Sequence, residues 1–451
     1  MSFDPAARAH NHNYRMDPIW RSQLDDDFYK FVMQHFIQRH YPTENVGFSL
    51  INRAKDIRLA DIITIEELTE QLDYARTVPF TSTDLAFMRG QKFFGQEDFF
   101  SPDYIEFLEK YKLPDYELSA DAETGQFHLH THGNWAHRQR WEMVFLTVVN
   151  ELKTRAAHRQ LSKFELVELY ARATTKLVTK LRKIKDANLQ GLNLTDFGTR
   201  RRHSHLWQRF CIEAAQEIVG EGFTGTSNVF FAKELGLEAR GTNAHELPMA
   251  VAALYRAASR HMTNSADYLR DSQYDVLRKW EEMYPEPLRI LLPDTFGTTQ
   301  FLKNAPDFLT KWTGARPDSK EPDAAFEELY RFWMSRGEDP SHKLILFSDG
   351  LDEDTIIDLH QRHAGHMRVA FGWGTNLTND FKGCYPANPD LYKAISLVAK
   401  VSRAGSFGTG EYWPAVKLSD NYNKASGPAD EVAFYRETFG HEGMAGAPVI
   451  V

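Results

Sequence analysis

The sequence predicts an α/β protein organised as a barrel or an incomplete one, and three observations carry that prediction. From about residue 190 the chain alternates short apolar runs with helical sequence. Six such runs follow one another: "LNLTDFGTR", "GFTGTSN", "LEARGTNAHE", "RILLPDTFGTT", "LILFSDGLD" and "MRVAFGWGTN". Each ends in Gly, Thr, Asp or His, which is the pattern of parallel strands joined by helices. A parallel sheet gathers those ends on one rim, where such folds hold their active sites.

The elements before that region read differently. "SQLDDDFYKFVMQHFIQRHYP", residues 22–42, predicts a helix with Phe28, Phe31, Val32 and Phe36 on one face. Asp25 to Asp27 suit its positive N-terminal end. "VGFSLINR" reads as a strand, and helical stretches follow near 65–78 and 103–112. "GQFHLHTHG" alternates as a strand does, with His128, His130 and His132 on one face; a half-exposed strand face explains them better than a metal site. Two long helices are expected around 137–158 and 162–186. His360, His363 and His366 near a helix end are likewise read as structural. Beyond about 391, "LYKAISLVAKVSR" and "YWPAVKLSD" look like strands flanking the Gly-rich loop "AGSFGTGE".

Composition narrows the function. With 451 residues, two or three domains are expected, and 42% hydrophobic with 25% charged residues describes a soluble globular chain. The apolar runs fall far short of a membrane span, and the first fifteen residues hold no signal-like core. Two cysteines, Cys211 and Cys384, form no disulfide framework and no cysteine zinc site, so a cytoplasmic protein is expected. A formal charge of −9 argues against a surface that tracks nucleic acid. Against that acidic background "RRRHSH", 200–205, reads either as a site for a small anion or as a solvated helix start.

The strand ends present Asp196, Thr199 and Arg200; Thr224, Thr226 and Ser227; His245; Asp294; Asp349; and Gly372, Gly374 and Thr375. Aspartates with arginines suit a polyphosphate and its magnesium. "FGWGTN" offers free backbone N–H groups to a terminal phosphate. Phe197 is an aromatic at a polar rim, either core or a face for a flat ring. His245 in "GTNAHE" is open to four readings: core histidine, metal ligand, general base or nucleophile.

In that order, "DDDFYKFVMQ", "LTDFGTRRR", "FTGTSN", "GTNAHE", "LLPDTF", "FSDGLD", "FGWGTNLT" and "AVKLSD" resemble the nicotinate phosphoribosyltransferase family, over residues 22 to 426. The resemblance implies a central irregular α/β barrel, residues 146–389. It also implies a second α/β domain, made from 1–145 and the returning segment 390–451. It implies a homodimer with shared active sites, and formation of nicotinate mononucleotide and pyrophosphate from nicotinate and phosphoribosyl pyrophosphate. ATP is the co-substrate, Mg²⁺ the cofactor, and no residue is assigned as a resident metal ligand. By motif, Tyr29 from a neighbouring subunit and Phe197 clasp the pyridine ring. Arg200 contacts its substituent or a phosphate, with Thr199 and Ser227 nearby. Asp294 and Asp349 hold ribose hydroxyls and magnesium-pyrophosphate, Gly374 and Thr375 bind the 5′-phosphate, and His245 is the histidine that ATP phosphorylates. Two departures are expected: Asp26 and Val32 stand in threonine positions, and Phe347 of "FSDGLD" replaces the arginine of an R-x-D-S-G-D pattern. Arg201 or Arg202 is the expected substitute.

Three other readings frame the expectation. A nicotinamide phosphoribosyltransferase shares the chemistry with a neutral ring, and the arginines favour a carboxylate over it. A metal-dependent hydrolase barrel needs paired strand-end histidines, which this sequence lacks. A non-catalytic relative has no need of an intact His245 with both aspartates.

Overall fold

In the computed structural model, residues 17–406 and 411–447 are described. Two sheets organise the molecule, and the alternation of short strand and helix seen from residue 190 builds one of them. Six strands lie parallel in the order β5-β4-β9-β8-β7-β6. They are β4 Leu194–Asp196, β5 Phe223–Thr226, β6 Ile290–Leu291, β7 Gly314–Ala315, β8 Leu344–Phe347 and β9 Arg368–Trp373. The edge strands β5 and β6 do not pair, so the barrel is irregular and unclosed. Of the six predicted runs, "LEARGTNAHE" contributes only an isolated parallel bridge, Thr226 to Ala239. In its place β7 joins the sheet from "TGARPD", a run too short and too small to announce itself. Its Gly314 is required, because a Cβ there would lie 2.1 Å from the Leu344 carbonyl oxygen.

The second sheet is antiparallel, ordered β11-β10-β1-β3-β2. Its members are β1 Glu44–Asn52, β2 Glu117–Asp121, β3 Gln126–Asn134, β10 Leu397–Ser406 and β11 Trp413–Pro414. β1 pairs along its length with β10, from Glu44↔Ser406 to Asn52↔Leu397, so segments from before and after the parallel sheet share the second one. The loop "AGSFGTGE" falls partly on 407–410, outside the described residues. His128, His130 and His132 stand exposed on β3, the last two facing Glu117 on β2 at 2.8 and 3.3 Å.

The long helices begin where local chemistry starts them. Ser162 and Glu165 form a reciprocal capping box ahead of the helix Lys163–Asp186. Trp141–His158 is buried on nearly every face, its polar Glu142, Asn150, Glu151 and Arg155 included. The helix of the 22–42 stretch spans Phe28–His40. Its three preceding aspartates do something other than complement a helix end. Asp25 accepts a bidentate pair from Arg202 at 2.7 and 2.8 Å, Asp26 accepts from Arg140 at 2.8 Å, and Asp27 accepts from Ser227 at 2.6 Å. All three are buried, and each fastens the entrance of the helix to a different element.

Candidate active site

The C-terminal ends of β4, β5, β8 and β9 open into one cavity, closed on another side by β10 and by Arg53, which follows β1. Tyr29, Phe197, Arg200, Ser227, His245, Asp349, Gly374 and Thr375 all line it. Two other predicted site residues sit behind its wall. Thr199 is buried and hydrogen-bonds Asp27 and Gln208, so it supports the pocket from outside. Asp294 is fully buried beside His245.

At one end the cavity is aromatic. Phe197 leaves β4 with its amide bonded to the Trp373 carbonyl at 2.9 Å, and its ring covers Gly372, where a Cβ would come within 2.2 Å. Asp196 fixes the base of this turn. Its buried carboxylate accepts from the Gly198 amide, the Thr226 hydroxyl and the Gln208 amide at 2.8, 2.7 and 2.9 Å, and burial pushes its pKa up to about 6. Tyr29 enters from the first turn of Phe28–His40. Gly241 lets the two backbones meet: its φ is +153°, and a Cβ would stand 3.0 Å from the Tyr29 amide nitrogen. Tyr29 therefore lines the cavity of its own chain. Arg200 is exposed into the cavity, beside Tyr29 and Asp318.

At the other end lies His245, just ahead of the helix Glu246–Ser259. Its Nδ1 is 2.9 Å from Thr295 Oγ1; its Nε2 is 3.1 Å from Asp318 Oδ2 and 2.8 Å from Lys417 Nζ. Nε2 stands between an ammonium that only donates and a carboxylate that only accepts, so it presents a lone pair to Lys417 in one tautomer and a proton to Asp318 in the other, while Thr295 Oγ1 can meet Nδ1 in either. Burial lowers the pKa of His245 and Lys417 reinforces it, while Asp294 and Asp318 oppose it. The net direction is downward, so the imidazole is neutral at pH 7, and Nε2 is nucleophilic in the tautomer that accepts from Lys417. Among the described residues, His245, Asp294 and Asp318 are the group whose ligand-type atoms converge, within 4.8 Å of one another. The ammonium of Lys417, which also reaches Asp294 at 3.3 Å, already fills the space between them. That placement counts against the hydrolase reading, in which a cation would take the same position.

The structure also corrects the account of the missing arginine. Arg202 is fully buried on Asp25 and cannot reach a ligand, while Phe347 is core, with its ring toward Phe371. The R-x-D-S pattern stands intact elsewhere, as Arg316, Asp318 and Ser319 directly after β7. Arg316 lines the cavity and donates to the Asn243 carbonyl at 2.9 Å. Ser319 donates to Asp294 at 2.6 Å. The signal was in the sequence, hidden because β7 is only two residues long. Asp26, in a threonine position, serves Arg140 instead of a substrate. Lys424, which donates to Asp349 at 2.5 Å, and Lys400 on β10 were not singled out from sequence either.

Cations outnumber carboxylates along this cavity, and a stacking pocket closes one end of it. That combination fits a site that brings a phosphorylated substrate to a flat ring, as a transferase of such groups requires. Comparison with known proteins makes the class specific. Residues 192–442 match the nicotinate phosphoribosyltransferase (NAPRTase) family model, and residues 24–150 match the model of its N-terminal domain. The chain is similar to the nicotinate phosphoribosyltransferase of Vibrio cholerae, with 26% identity, TM-score 0.81, and 95% of this chain and 96% of that one covered. It is similar as well to that of Porphyromonas gingivalis, with 25% identity, TM-score 0.78, and 93% and 99% covered. The chain belongs to the nicotinate phosphoribosyltransferase family, enzymes of NAD salvage.

Proposed function

We propose that this chain transfers the phosphoribosyl group of phosphoribosyl pyrophosphate to the ring nitrogen of nicotinate, releasing pyrophosphate, and couples the transfer to ATP hydrolysis through phosphorylation of His245. The observation that carries the coupling is the setting of that imidazole: neutral, with Nε2 on the cavity side beside Lys417. Nε2 attacks the γ-phosphorus, the bond to ADP breaks, and a phosphoramidate forms whose later hydrolysis releases phosphate. Lys417 is placed to offset charge on the phosphoryl group, and Thr295 keeps the ring oriented.

Glycosyl transfer itself asks the protein to orient the ring and stabilise the leaving pyrophosphate. Phe197 and Tyr29 take the ring, and Arg200 meets its carboxylate, which favours nicotinate over the neutral nicotinamide. Gly374 and Thr375 receive the 5′-phosphate. Asp349, a carboxylate that faces the cavity, suits Mg²⁺, whereas Asp294 lies behind the wall on Lys417 and Ser319. With the polyphosphate bound, magnesium would be held by Asp349 together with phosphate oxygens and would neutralise phosphate charge. A homodimer and a cytoplasmic location belong to this reading on the family resemblance.

The test is direct. Incubation with γ-labelled ATP should leave an acid-labile, base-stable label on the protein, and His245→Ala should abolish both the label and the ATPase. The transferase should survive in that variant without its ATP-driven gain, because the glycosidic bond forms without the imidazole. Full ATP stimulation in His245→Ala would overturn the assignment.

A further inference from the structure

We propose that Lys180, on the outer helix Lys163–Asp186, is a positioning residue that sets the affinity for phosphoribosyl pyrophosphate by holding the loop Gly374–Asn376 from behind. This rests on the reading of that loop as the 5′-phosphate site. Lys180 is only 5% exposed, and its ammonium points at the loop's outer side. Nζ donates to the Asn376 carbonyl at 2.6 Å, pairs with Asp380 Oδ2 at 2.5 Å and lies 5.6 Å from the centre of the Trp373 ring. Trp373, the last residue of β9, precedes the loop, and Asn376 closes it. Lys180 thus touches the residues on both sides of the turn.

A second tie runs from the same two residues to the neighbouring strand connection. Trp373 Nε1 and Asn376 Nδ2 both donate to the Leu351 carbonyl, at 3.1 and 2.8 Å. With the Asn376 side chain on Leu351 and its carbonyl on Lys180, the peptide plane has little freedom to rotate. The loop that lines the cavity is then fixed before substrate arrives, and preorganised donors cost little to order on binding.

Burying an ammonium is expensive unless it is paired and hydrogen-bonded, and a methionine of similar length would fill the space without that cost. Asp380 cancels the charge of Lys180 locally and is itself shared with the more exposed Lys176 at 2.6 Å. The contribution of Lys180 is therefore geometric rather than a long-range field. A guanidinium, which also donates to a carbonyl and a carboxylate, should serve nearly as well.

Steady-state kinetics on the full-length enzyme tests this. Lys180→Met should raise the KM for phosphoribosyl pyrophosphate by about tenfold, with kcat and the nicotinate KM within about twofold. Lys180→Arg should recover most of the loss. If Lys180→Met does not fold, as judged by its melting curve, Lys180→Gln is measured under the same expectation. An unchanged KM for phosphoribosyl pyrophosphate, or an equal rise in both KM values, overturns the inference. Thr375→Val separates the two levels of the argument. If it leaves the KM for phosphoribosyl pyrophosphate unchanged, the phosphate-loop reading falls and the role of Lys180 falls with it. If it raises that KM while Lys180→Met does not, only the role of Lys180 falls.

Discussion

His245 carries the most chemistry per atom in this molecule, and its surroundings determine when it can act. Burial lowers its pKa from the ordinary 6.5, and the ammonium of Lys417 lowers it further. A histidine with a depressed pKa stays neutral until the pH falls through that lowered value, so the nucleophile is present at pH 7 and lost only in acid. The acid limb of phosphoenzyme formation is expected below pH 6.5. Lys417→Met, by removing a like charge, should move that limb upward. Measurement of labelled enzyme against pH checks both; a native limb at or above 6.5 would contradict the neutral imidazole. The same buried state links to stability: folding favours neutral His245, and that contribution is lost as pH falls below the unfolded value.

Strands β4 and β9 show how an element sets a binding site. They pair in parallel, with Asp196 opposite Trp373 and Thr195 opposite Gly372, and the chain turns Phe197 back over the glycine. The ring lies flat because position 372 has no side chain. A methyl there would stand 2.2 Å from Cδ2, so the ring must leave its place over the strand. Gly372→Ala should therefore reproduce Phe197→Ala. Each stacking face is worth on the order of 1 kcal/mol, so the nicotinate KM should rise about tenfold in both variants when one to two contacts are lost. Isothermal titration with nicotinate reads the same quantity directly. Normal affinity in Gly372→Ala would show that the ring is not held by this strand pair.

At the scale of the whole molecule, the site depends on parts far apart in sequence. Tyr29 comes from the N-terminal helix, Arg53 and Lys400 from the antiparallel sheet, and the remainder from the parallel rim. Both Tyr29 and His245 line the cavity of one chain, so a hybrid of two defective chains gains no intact site. Mixed and reassociated Tyr29→Ala and His245→Ala proteins should show no more ATP-stimulated activity than the sum of the two alone. A recovery toward a quarter or more of native activity, about what one intact site in a mixed pair supplies, would place Tyr29 across a subunit boundary.

The sequence determined a great deal unaided, because strand ends in a parallel sheet carry short polar signatures that need no long-range information. The α/β class, the existence of an irregular barrel and the family were legible in eight ordered motifs. The cavity also gathers Phe197, Arg200, His245 and Gly374, which the motifs had marked. Tertiary structure decided what periodicity cannot express. A two-residue strand has no period, so β7, and with it Arg316 and Asp318, became visible only when its neighbours supplied hydrogen bonds on both sides. Charge assignments were likewise beyond local reading. Asp25, Asp26 and Arg202 look alike to Asp27 and Arg200 in sequence, yet the first three are spent on buried pairs and the latter two face the cavity. Only packing distinguishes them, because desolvation makes an ion either find its partner or remain at a surface.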